Sequence, residues 1–66
     1  MNTNIEALKA DIDASIIKTH ADMISWFARR AAWHRAQGHV ERAEELDAKA
    51  AKWRAKLQLY KSEWGL

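Results

Sequence analysis

This chain of 66 residues has no cysteine, no proline and only two glycines, Gly38 and Gly65. Without cysteine there are no disulfides and no thiolate zinc sites, which fits a reducing cytoplasm. Without proline, nothing forces a break inside a helix. Apolar runs are only a few residues long, too short to cross a membrane. The opening MNTNIEALKADID lacks the basic segment and apolar stretch of a secretory leader, so a soluble cytoplasmic protein is expected. An excess of one charge is lacking too: eleven Lys/Arg stand against nine Asp/Glu, a net charge of +2. Acids are interleaved with bases, as on a solvated helix surface, whereas phosphate binding favours a denser one-sign face. At this size residues 1–66 form one domain, near the lower limit for folding alone, and a second subunit is a usual supplement.

Alanine, leucine, lysine, arginine and glutamate dominate, all strong helix formers, and no run alternates with period two. The spacing predicts an all-α helical hairpin: a long helix over 3–37, a turn at Gly38 and a second helix over 39–63. Thr3-Asn4-Ile5-Glu6 matches a capping box. From there Ile5, Leu8, Ile12, Ile16, Met23, Phe27 and Ala31 recur mostly at steps of three and four. Leu8 and Trp26 on one side, with Ile17 and Ile24 on the other, widen the stripe to roughly half the circumference. Asp11, Lys18, Asp22 and Arg29 fall opposite. Gly38 suits the left-handed residue after a helix, and Glu41, Glu44 and Glu45 favour the helix start that follows. The second helix carries a narrow heptad seam, Ala43, Leu46, Ala50, Trp53, Leu57, Tyr60 and Trp64, with its small residues near the turn.

Rods of about 50 Å and 37 Å follow from the helix rise, so a lone hairpin would leave Ile5, Leu8 and part of the wide stripe uncovered. The economical solution is a homodimeric four-helix bundle, with Ile5, Leu8, Ile12, Ile16, Met23 and Phe27 at the dimer interface. A break capped by Thr19-His20-Ala21-Asp22, giving a three-helix monomer, competes with it. So do a higher oligomer and a complex with another protein.

Residues 26–46 concentrate aromatics, arginines and histidines. One reading is a protein-binding patch of Trp33, Arg29, Arg35 and His34, with Trp64 as a second anchor. The alternative is RNA or DNA binding by Arg29, Arg35, Arg42, Lys49, Lys52, Arg54 and Lys56; the neighbouring Glu41, Glu44 and Glu45 oppose it. Arg30, in mid-stripe, would need a carboxylate if buried. His20, on the apolar face, is a pH-sensitive position. His34 and His39 flank the turn without HxxxH or HExxH spacing, so no metal is expected. With no nucleophile elbow, phosphate loop or paired carboxylates, neither catalysis nor a cofactor is expected.

Gly38, Ala43 and Ala50 are spaced like the turn glycine and small second-helix residues of a single tetratricopeptide motif. In size and plan the chain resembles the plasmid-encoded, RNA-binding hairpin dimers of the Rop type, and in character it is similar to small helical accessory proteins of bacteriophages. The resemblance implies a regulatory or adaptor role exercised through an outer surface, in the bacterial host cytoplasm for a phage protein. It transfers no site residue. The leading expectation is a non-enzymatic interaction module that pairs with itself and binds a protein partner. A purely structural assembly component is the remaining possibility.

Overall fold

The computed structural model describes the backbone of residues 2–66 and the side chains of residues 4–66. Two helices, α1 (Asn2–Ala36) and α2 (Val40–Trp64), fold back on each other as a hairpin. The result is a single layer, 56 × 17 × 10 Å between Cα extremes. Both helices lie within a residue of the bounds the pattern predicts. The Thr3–Glu6 capping box falls on a side chain outside the described residues.

Gly38 makes the turn. Its φ of +83° is left-handed backbone that only glycine adopts freely. There the Gly38 amide donates to the Arg35 carbonyl at 3.1 Å and the His39 amide to the His34 carbonyl at 2.8 Å. These bonds are the two closures of a Schellman motif, and they satisfy carbonyls that the end of α1 leaves orphaned. His39 then starts α2 with no side-chain cap, and its carbonyl accepts the first helical bond from the Ala43 amide at 3.0 Å. Gly65, at φ +68°, ends α2 in the same left-handed way.

The long first helix is continuous, which removes the three-helix alternative. The Thr19 hydroxyl donates to the Ser15 carbonyl one turn back, at 2.9 Å, and Asp22 pairs with Lys18 at 2.8 Å. Both side chains that would have capped a new helix are engaged inside the existing one.

Packing follows the seam of α2. Ala31, Ala43, Leu46 and Ala50 are buried, and Phe27 packs against the cluster formed by the first three. Alanines let the helices approach closely. Seven residues further from the turn on each helix, His20 stands edge-on to Trp53, ring centroids 5.2 Å apart. Seven further again, the Tyr60 hydroxyl donates to the Asp13 carboxylate. This ladder fixes the register, and Lys9 lies over the Trp64 ring at 5.5 Å. Residues 4–8 of α1 project past the end of α2, since α1 has 35 residues and α2 has 25.

Candidate interaction surface

The hairpin hides little of what its sequence makes apolar. Ile5 is 69% exposed, Leu8 61%, Ile12 51%, Trp26 47% and Trp33 55%. All five belong to α1. Ile16, Met23 and Phe27, expected with Ile5, Leu8 and Ile12 at one outer interface, are half-buried, and Phe27 belongs to the core inside the hairpin. The difference has a simple cause. The wide stripe serves two directions: its Phe27–Ala31 side meets α2, and its Leu8–Trp26 side, between a quarter and a third of a turn away, meets nothing in the chain.

Near the turn, Trp33 stands edge-on to His34 at 4.9 Å and to His39 at 6.5 Å. The two imidazoles approach to 3.3 Å between their Nδ1 atoms, a distance at which one ring donates to the other. Burial, the neighbouring His39 and the Arg30 and Arg42 cations hold His34 below the ordinary histidine pKa, which favours a neutral His34 ring able to accept at Nδ1. His39 therefore joins His34 and Trp33, a grouping the sequence leaves open because a turn lies between them. Among the described residues no three histidine, aspartate or glutamate side chains converge as a metal site would need. Trp64 lies at the far end of α2, about 36 Å of helix away, so it shares no patch with Trp33.

The chain matches no family model, no curated protein and no solved structure.

Several of the basic residues are engaged within the hairpin. Arg35 pairs with Asp47 across the helices at 2.7 Å, and Arg42 with Glu45 at 3.0 Å. Lys49 lies over Phe27 at 5.9 Å and Lys56 over Trp53 at 5.2 Å, covering the margins of the seam with their stems. Lys52 and Arg54, two residues apart on α2, point about 160° away from each other. Arg30 is exposed, with its guanidinium 5.5 Å over the Trp26 ring. Within one hairpin Arg30 therefore needs no carboxylate partner, because α2 does not cover that side of α1. Asp47 and the Tyr60–Asp13 pair escape a helix-wheel reading. Counting equal steps outward from the turn finds Tyr60 and Asp13 once His20 is set against Trp53.

The described residues enclose no pocket, and no helix among them is long and apolar enough to cross a membrane. What the arrangement offers is flat helical surface, with indoles, aliphatic side chains and cations set along it.

Proposed function

We propose that this chain is a helical interaction module of adaptor or regulatory type whose working unit is a homodimer. One observation carries the reading: among the described residues the four buried side chains are three alanines and a leucine, while Ile5, Leu8, Ile12, Trp26 and Trp33 of α1 are exposed. Exposed apolar surface of this extent marks an association site. For so small a chain, association also supplies burial that one copy cannot provide. The neutralised Arg35 and Arg42 and the scattered lysines favour a protein surface over a phosphate backbone as the thing recognised.

Sedimentation equilibrium at micromolar concentration tests this directly. The chain should run at about twice its 7.6 kDa mass, and Ile12→Asp should run as a monomer, because a carboxylate at a desolvated contact is costly. A monomeric parent chain at that concentration overturns the reading.

A further inference from the structure

Along the uncovered side of α1, Ile5, Ile12, Thr19, Trp26 and Trp33 follow one another at intervals of seven residues. All five are exposed. A strict seven-residue repeat drifts by about 20° per step on a straight helix and makes a continuous seam when two helices wind about each other. The seam is symmetric in position about Thr19 and asymmetric in kind, with aliphatic side chains toward the N-terminus and indoles toward the turn. Resting on the dimer reading above, we propose that the seam docks on the same seam of a second copy, antiparallel, with the two-fold axis passing beside Thr19.

Three features select this occupant and this direction. In antiparallel register Ile5 meets the second copy's Trp33 and Ile12 its Trp26, so each contact sets a large ring against a smaller side chain and the helix spacing stays even. A parallel pairing stacks indole on indole at one end and isoleucine on isoleucine at the other, and the helices splay. The charges agree. Asp11, Lys18, Asp22 and Arg29 line one flank of the seam, reading minus, plus, minus, plus. Antiparallel helices bring like flanks together, so Asp11 faces Arg29 of the other copy and Lys18 faces its Asp22. A parallel pairing turns that flank toward Ile16 and Met23, which carry no charge to answer it. In the antiparallel arrangement Ile16 and Met23 meet each other on the second flank.

The centre of the seam tolerates burial, because the Thr19 hydroxyl is already bonded to the Ser15 carbonyl and brings no unsatisfied donor. Two like-charged approaches remain: Lys9 nears Arg30 of the second copy, where each cation lies over an indole of its own chain, Trp64 and Trp26, and Lys18 nears its own counterpart beside the axis, where the Asp22 it already pairs with at 2.8 Å offsets its charge. The seam lies between a quarter and a third of a turn from the face that meets α2, as a helix at the corner of a four-helix bundle requires.

The chain has no cysteine, so single-site spin labels report the geometry cleanly. Labels on Thr19→Cys should lie within about 20 Å of each other. Those on Asn4→Cys should lie about 45 Å apart, fifteen residues of helix rise on each side of the axis. As a second measure, Asp11→Lys should weaken association about fivefold, and Asp11→Lys/Arg29→Asp should restore it. A dimeric mass with Asn4 labels as close as Thr19 labels overturns the antiparallel seam in favour of a parallel one. A dimeric mass with Thr19 labels far apart overturns it in favour of another face. Either result leaves the dimer standing. A monomeric mass, including one that changes only when a different protein is added, overturns the dimer and the seam together.

Discussion

The turn end and the open end of the hairpin are built from the same two helices, yet they bury opposite kinds of residue. Near Gly38 the side chains with almost no exposure are Ala31, Ala43, Ala50 and Leu46. Toward the chain ends Trp53, Leu57 and Tyr60 are half-buried, and Trp64, Ile5 and Leu8 are exposed. Closeness of approach decides burial here more than hydrophobicity does. Alanine lets the backbones close up until little solvent reaches between them. Bulky rings hold the helices further apart, and two helices alone cannot surround a ring. The contact between the helices is closed at the turn end, although Trp26 and Trp33 on its outer side stay exposed, whereas at the open end the seam residue Trp64 is itself exposed.

The comparison is broken most severely at Leu46, the one large side chain the turn end fully covers. Leu46→Ala should cost about 2–5 kcal/mol, most of what a chain this small holds. Thermal melts followed by circular dichroism should show lost cooperativity at concentrations where the parent chain is folded. Changes at Leu8, 61% exposed in the single hairpin, should matter only where copies associate. A smaller effect separates the two glycines. Gly38 and Gly65 both have left-handed backbone, and an added Cβ would meet nothing within 4 Å at either position, so the cost of alanine is conformational alone. Gly38→Ala should cost about 1 kcal/mol, since the turn holds both helices in register. Gly65→Ala, at a chain end free to fray, should cost less than about 0.5 kcal/mol. Equal melting-temperature shifts for the two would contradict the claim that stability is concentrated at the turn.

This division was only half legible in the sequence. The turn was plain because a lone glycine between two helix-forming stretches has few other uses, and the α2 seam was plain because its steps of three and four never miss. The wide stripe of α1 was visible as well, but a helix wheel shows its width and not which part the neighbouring helix covers. Ile16, Met23 and Phe27 share this stripe with Ile5, Leu8 and Ile12, although the first three are half-buried in the hairpin, Phe27 against its core, and the others are exposed. Cross-helix partners such as Tyr60 with Asp13, or Arg35 with Asp47, depend on register between elements, which periodicity within one element cannot supply. Trp33 was legible as an exposed aromatic, whereas its contacts with His34 and His39 depend on how the turn folds back.

The subtlest contrast lies in how the two ends answer pH, and Tyr60 reports on the open end. Its hydroxyl donates to the Asp13 carboxylate; that bond first, then burial, then the Asp13 charge, raise its pKa above the ordinary 10.0. A group whose folded pKa is raised keeps its proton in the folded chain after the unfolded chain has lost it. The stabilisation is thus complete below pH 10 and declines as pH rises through the folded value. Lys18, raised above 10.5 by its hydrogen bond to Asp22, loses its pair with rising pH as well, so a variant is needed to separate them. In Tyr60→Phe the melting temperature at neutral pH should fall by roughly 4–8 °C, the scale of one lost hydrogen bond in a chain of this size. The fall on going above pH 10 should then be shallower than in the parent. Tyr60 is the chain's only tyrosine, so tyrosinate absorbance follows it without assignment. Its midpoint should lie above 10.0 in the parent and return toward that value in Asp13→Ala. An unchanged midpoint in Asp13→Ala would mean that the open end is not held in the register described, and that the contact between Asp13 and Tyr60 contributes nothing to holding it.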